Sequence, residues 1–306
     1  MRSPHIETVG RSLSQAIRDA AASSISLPEK TYSPLLTLEA GRSKMMAPLI
    51  IIPGAGDSIT SFIELSTSLN GRYPIYGLQP RGLDGVLVPH STVSSASEFY
   101  LRTVEKIHPN LPINLLGHSF GGWVAFDMAQ RLLEYGRNVA SLVILDSDAP
   151  HTQHTPPREY SQTEVMARMI DLFEQIIGHS LDLNRSHLDP MRQAAQIAML
   201  NDRLVKEELM PRHSKSDVLQ ATVRTFSAAL RTHYEPNRTY SGALHLLLAD
   251  DNRMDQDANH RQYELIAEGW RRWAPNLVCT RVPGNHVTML KPPYVFDLAQ
   301  LLRAIA

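Results

Sequence analysis

The most constraining stretch of this chain is INLLGHSFGGWVAF, Ile113 to Phe126. An apolar run enters Gly117-His118-Ser119-Phe120-Gly121 and passes directly into a helical pattern. A strand that becomes a helix so abruptly holds its central residue in strained backbone geometry and brings neighbouring segments close, so both flanks call for glycine. The serine oxygen then projects from the top of a sheet, above the positive end of the next helix. Gly-x-Ser-x-Gly alone is a weak pattern; a strand before it and a helix after it make it a nucleophile elbow, with Ser119 as the nucleophile. The competing reading, Ser119 as a plain helix cap, is the weaker one.

The rest of the chain supplies the sheet that such an elbow needs. APLIIIPGAG is a continuous apolar run closed by Pro53, Gly54 and Gly56, as expected of a strand buried on both faces. A helix is expected over Ser58 to Leu69. The strand YPIYGLQPRG and the helix SASEFYLRTVEKIH follow it. After the elbow come a helix closed by Gly136, the strand VASLVILDSDAP, the strand ALHLLLADD, the helix HRQYELIAEGWRRW, the strand LVCTRVPGNH and a last helix from Pro293. This alternation predicts a mostly parallel sheet covered by helices on both faces, an α/β architecture.

One connection is too long for a crossover. Between Asp148 and the strand near Ala243 lie three amphipathic stretches. The first carries Val165, Met166, Met169, Ile170, Phe173, Ile176 and Ile177 at helical spacing; the others run from Met191 to Leu209 and from Val218 to Leu230. The insertion leaves and rejoins the sheet at strand ends, so residues of about 151–240 are expected to form a helical lid, with Phe173 and Leu230 facing the substrate pocket. A small helical appendage packed only for stability is the alternative.

A serine hydroxyl needs a base, and the base needs an orienting acid. In a parallel sheet these groups gather at the carboxyl ends of strands. His286, in VPGNHVTML just after the last strand, is the expected base. Asp146 ends SLVILD, the strand reached directly after the elbow helix, and is the favoured acid; Asp250, Asp251 and Asp255, near the end of the next strand, stay in competition. The order Ser, Asp, His along the chain is that of the α/β-hydrolase fold. For the oxyanion the expected donors are the backbone N–H groups of Phe120 and of Ala55, in the Gly54–Gly56 turn. His118 is expected to be aimed elsewhere by the sharp turn. His151 and His154 form an H-x-x-H pair without a further ligand cluster, so no metal is expected.

Composition removes other classes. Thirty basic residues against thirty-one acidic ones leave a net charge of −1, with no basic block suited to nucleic acid or an anionic membrane. No apolar run approaches the ~18 residues of a membrane span, and MRSPHIETVG lacks the apolar core of a signal peptide. The single cysteine, Cys279, excludes an internal disulfide and reads as an inert thiol on a strand. A cytoplasmic protein is expected.

Four segments, PLIIIPGAGDSITSF, YPIYGLQPRGL, INLLGHSFGGWVAFDMAQRL and VPGNHVTML, resemble the type I thioesterase domains that end nonribosomal peptide and polyketide synthetases. The likeness samples residues 35–306 except the insertion. It implies Ser119 as acyl-accepting nucleophile, His286 as base and Asp146 as acid. It also implies a substrate delivered as a thioester on the phosphopantetheine of an acyl or peptidyl carrier, with no bound cofactor, and release by hydrolysis or macrocyclisation. Stand-alone editing thioesterases, a related class, usually place the acid after the later strand, which keeps LADD in play; a carboxylesterase of the same fold is a further alternative. Residues 1–34, a weak helical pattern from Ile6 to Ser24 and then a linker, lack the resemblance and fit a linker from an upstream carrier domain. The chain departs from the family at Asp57, where a second glycine is usual. GDSI, Gly56 to Ile59, resembles a phosphopantetheine attachment site, but the buried strand upstream cannot belong to the helical bundle such a site requires.

Overall fold

In the computed structural model, residues 32–43, 46–107, 110–156, 158–211, 216–251 and 253–305 are described. The helical pattern expected between Ile6 and Ser24 lies outside them. Seven strands form one sheet: β1 (Leu35–Glu39), β2 (Leu49–Ile52), β3 (Ile75–Leu78), β4 (Ile113–His118), β5 (Val139–Leu145), β6 (Leu244–Asp250) and β7 (Leu277–Pro283). Their spatial order is β1-β3-β2-β4-β5-β6-β7. β1 pairs antiparallel with β3, and every other pairing is parallel. The sequence reading had no separate β1; its residues are only partly buried and its register slips between Thr37 and Glu39, so it carries little hydrophobic pattern.

The apolar runs of the central strands divide by the two-residue period of a strand. Ile50, Ile52, Ile113, Leu115, Leu142, Ile144, Leu244 and Leu246 face one side. There they meet helices α2 (Val93–Ile107), α3 (Phe120–Glu134) and α8 (Gln256–Arg271). Leu49, Ile51, Leu116, Val143, Leu145 and Leu247 face the other side, against α1 (Ile63–Ser68) and α9 (Tyr294–Ile305). Both faces are therefore covered, which is why these strands read as continuous apolar runs. The expected Ser58–Leu69 helix is split: Ser58 caps a 3-10 turn over Ile59–Phe62, and α1 follows. Gly136, at φ 68°, closes α3 as expected, with the Arg137 N–H bonded to the Leu132 carbonyl.

Between β5 and β6 the chain builds a separate helical layer of α4 (Gln162–Ile177), α5 (Arg185–Leu188), α6 (Gln193–Lys206) and α7 (Ser216–Leu230). Helix α4 begins with a capping box of Ser161 and Glu164 and ends at Gly178 in the left-handed conformation. Helix α6 is shorter than its amphipathic stretch because Glu208, at φ 58°, reverses the chain and sends the Leu209 N–H back to Leu204. Val165, Met166, Met169, Ile170, Leu200, Leu204, Leu219, Val223 and Phe226 make a hydrophobic cluster of their own, distinct from the two sheet cores.

Candidate active site

The turn between β4 and α3 owes its shape to two contacts that only glycine permits. A Cβ on Gly117 would lie 2.2 Å from the Gly121 carbonyl oxygen, and one on Gly121 would lie 2.3 Å from the Ile52 carbonyl oxygen. Neither clash can be relieved by a side-chain rotation, because both partners are backbone. Held between these glycines, Ser119 adopts φ 54° and ψ −126°, a conformation rare for a side chain other than glycine. Its N–H donates to the Leu145 carbonyl at 2.8 Å, which ties the elbow to the end of β5.

Asp146 follows immediately on β5, also at positive φ (42°). Both of its carboxylate oxygens are engaged: Oδ1 accepts from the Ala249 N–H at 3.0 Å and Oδ2 faces His286 Nδ1 at 2.6 Å. A carboxylate only accepts, so Nδ1 carries the proton and Nε2 is the ring nitrogen free to accept one. Burial opposes charge on both groups. Their mutual hydrogen bond and attraction outweigh it, lowering the Asp146 pKa and raising that of His286. The rival acids go elsewhere. Asp251 is bound by Arg253 at 2.6 Å, Asp250 lies half-exposed near Arg281, and Asp255 caps α8 through the Ala258 N–H.

The loop bearing His286 is anchored by Asn285, which is 5% exposed. Its Oδ1 accepts from the Val287 and Thr288 N–H groups, and its side-chain amide donates to the Gln175 carbonyl on α4. His118, expected from the sharp turn to point elsewhere, packs against this loop. Its ring lies 4.7 Å from the His286 ring, and its Nε2 lies 2.9 Å from the His286 carbonyl oxygen. A carbonyl only accepts, so Nε2 donates. Burial, reinforced by the charge of His286, pushes His118 down to about 3, so it stays neutral. Nothing in the sequence around His118 signals this contact with His286.

Ser119, Phe120, Asp146, His286 and Ala55 line one cavity of about 590 Å³. The Phe120 N–H opens α3 and so has no acceptor within the helix. The Ala55 turn presses against the serine, since a Cβ on Gly54 would stand 3.1 Å from Ser119 Cβ. Asp57 turns into its own loop, accepting from the Ser58 N–H and the Ser61 hydroxyl; burial raises its pKa. The helical layer forms the far wall through Arg158, Tyr160, Arg168, Leu172, Phe226 and Leu230. Leu230 lines this cavity and also packs against the helical layer's own cluster. Phe173 is not among the lining residues: on α4 it packs against the helical layer's own cluster, as its neighbour Leu172 also does, and Leu172 lines the cavity as well. Periodicity locates a buried face but does not say which neighbour buries it. His151 also lines the cavity, stacked on His233 at 4.3 Å beside Trp123. Cys279 is half-buried on β7, and burial raises its thiol pKa.

An elbow serine and an imidazole–carboxylate pair at the carboxyl end of this strand order define a hydrolase of the α/β-hydrolase fold. The chain belongs to the thioesterase domain family, whose sequence profile matches residues 47–305. It is 26% identical over 309 residues to chondramide synthase of Chondromyces crocatus, covering 99% of this chain and 7% of that protein. To the vanchrobactin synthetase VabF of Vibrio anguillarum it is 26% identical over 259 residues, covering 84% of this chain and 8% of that protein. The chain thus spans a small fraction of the relatives it matches. Among solved structures, the wild-type Vlm2 thioesterase domain matches at a TM-score of 0.59 and 26% identity, over 88% of this chain and 96% of that one. The type II thioesterase YbtT of the yersiniabactin pathway matches in fold, with a TM-score of 0.62 at 19% identity, over 89% of this chain and 98% of its own. No described helix is long and apolar enough to cross a membrane.

Proposed function

We propose that this domain releases acyl or peptidyl chains from the phosphopantetheine thiol of a carrier domain by way of an ester on Ser119. The observation that carries this reading is the 2.6 Å contact between His286 Nδ1 and Asp146, beside an elbow serine on the same cavity. With Nδ1 committed to Asp146, His286 Nε2 takes the Ser119 hydroxyl proton as the oxygen attacks the thioester carbonyl. Negative charge collects on the carbonyl oxygen, held by the Ala55 and Phe120 N–H groups. The carbon–sulfur bond breaks, the thiol leaves with the proton from His286, and acyl-Ser119 remains. Water, or a hydroxyl or amine of the chain itself, then gives up a proton to His286 and attacks the ester. The product is a free acid, a lactone or a lactam, and Ser119 recovers its proton.

The acid at the end of β5 favours a chain-terminating domain over an editing enzyme, in which the carboxylate after the later strand would serve. Residues of about 151–240 act as the lid over this site. Intact mass spectrometry after exposure to acyl-pantetheine thioesters tests the reading. The protein gains the acyl mass and Ser119→Ala does not. Acyl mass on the Ser119→Ala protein would sink the assignment.

A further inference from the structure

The cavity that Ser119 lines holds more positive charge than the proposed chemistry uses. Arg158, Arg168 and Arg231 all line the cavity. They converge on Tyr160: the guanidinium carbons of Arg158 and Arg168 lie 4.9 Å and 5.2 Å from its ring centre, and Arg231 Nη2 donates to its carbonyl at 2.8 Å. The first two guanidinium groups are therefore within about 10 Å of each other. Stacking on the ring uses the face of each group and leaves its N–H edge free to bind an oxyacid in its plane.

None of these arginines forms an ion pair with a described carboxylate. The acids on the same cavity have other ties. Asp146 holds His286, Asp251 holds Arg253, and Asp171 accepts from the Gln175 amide at 3.3 Å. Asp148 feels the Arg168 charge but does not pair with it, and burial raises its pKa. Glu164 and Asp148 feel Arg158 and Arg168, respectively, without pairing with them, so like charges gathered on one cavity still repel one another, and an arriving anion relieves that repulsion.

We propose that Arg158, Arg168 and Arg231 form a subsite for an anionic oxyacid group of the substrate, either a carboxylate on the acyl chain or the phosphate of the pantetheine arm. The assignment rests on the thioesterase reading for the identity of the substrate, and its test does not require turnover. The probes are thioether analogues of acyl-pantetheine that no esterase can cleave. One chain ends in a carboxylate, a second in the matching carboxamide, and a third pairs the carboxamide chain with a 4′-phosphate on the arm.

Calorimetry of the full chain is expected to show at least one anionic probe bound about tenfold or more tighter than the neutral one, the scale of a charge-assisted hydrogen bond. Whichever probe gains names the source of the anion. Arg158→Ala and Arg168→Ala bring that probe down toward the neutral one, and Arg168→Lys, which keeps the charge but not the planar fork, recovers part of the difference. Thermal melting confirms that the variants are folded. Equal affinity for all three probes, or a preference that survives the Arg158→Ala/Arg168→Ala double variant, overturns the subsite. Failure of the thioesterase reading shows separately, as absence of acyl-Ser119.

Discussion

The carboxyl end of the sheet and the helical layer above it face the same cavity under opposite constraints. At the sheet end, backbone atoms decide the geometry. Gly117 and Gly121 each pack against a carbonyl oxygen, Ser119 and Asp146 both hold positive φ, and each oxygen of Asp146 has an assigned partner. In the helical layer, side chains decide it: the helices share an apolar cluster of their own and turn long polar residues toward the cavity. Chemistry that tolerates little displacement belongs on the first, and recognition that varies with substrate belongs on the second.

The sharpest test of that division is the orienting acid. Loss of this group in a comparable triad costs about 10⁴ in rate, because the imidazole loses its tautomer and its counter-charge. Asp146→Asn is expected to lower thioester turnover by about three to four orders of magnitude on that precedent. Asp251→Asn and Asp250→Asn are expected to cost about tenfold or less, since they act only through Arg253, Arg281 and local charge. The assay is turnover of one acyl-pantetheine by all three variants, each with its melting temperature. A crippled Asp251→Asn beside an active Asp146→Asn would move the acid to the later strand and the enzyme toward the editing class.

The same contrast explains what could be read without coordinates. Glycine at Gly117 and Gly121 and the apolar run of β4 are local necessities, so the elbow was legible from residues alone. The gathering of active groups at strand ends in a parallel sheet points to His286 and leaves Asp146 in competition with Asp250, Asp251 and Asp255; the family resemblance favours Asp146. Three things were not legible. β1 is short and half-exposed, so it leaves no periodic trace. His118 is hydrogen-bonded to the His286 carbonyl 168 residues away, a contact without a local signature. The choice between Leu172 and Phe173 depends on how helices cross, and a helical period leaves that open.

A second comparison sets a glycine of the elbow against one of the helical layer. Gly121→Ala places a methyl group 2.3 Å from a backbone oxygen, so the elbow must move. Overpacking of that kind costs about 1–3 kcal/mol, and a displaced serine costs about 10²-fold or more in rate. Gly178→Ala, at φ 80° with nothing near its would-be Cβ, meets only the left-handed penalty of about 1–2 kcal/mol. Denaturant unfolding and turnover together separate the two. Full activity in a folded Gly121→Ala protein would show that the sheet end is less constrained than its contacts imply.

Within the helical layer, adjacent residues should divide stability from selectivity. Phe173→Ala removes part of the layer's own cluster and is expected to destabilise by about 1–3 kcal/mol, below the usual range because the ring is only half-buried. Leu172 packs against the same cluster but also lines the cavity, so Leu172→Trp fills the cavity and is expected to shift preference toward shorter acyl chains. Turnover of a chain-length series checks both. Unchanged selectivity in Leu172→Trp would favour a packed appendage over a lid.

The smallest effect concerns Asp57, where the sheet end departs from the family pattern. Its carboxylate is absorbed by its own loop, yet its charge still reaches His286 and, behind Asp146 and Asp148, helps to raise the pKa of that ring. A base works in its neutral form, so kcat/KM should rise with pH through the His286 pKa, above the ordinary histidine value of 6.5. Asp57→Asn removes one of the charges that favour the imidazolium, so the ring gives up its proton at lower pH. The midpoint of the profile then moves down, and activity on the acidic side of the profile rises. Asp146→Asn moves the midpoint in the same direction but collapses the plateau as well, because it also releases the ring. A pH profile of kcat/KM for the native protein and both variants distinguishes charge from orientation. An unmoved midpoint in Asp57→Asn would confine Asp57 to holding its loop, and leave the base tuned by Asp146 and Asp148 alone.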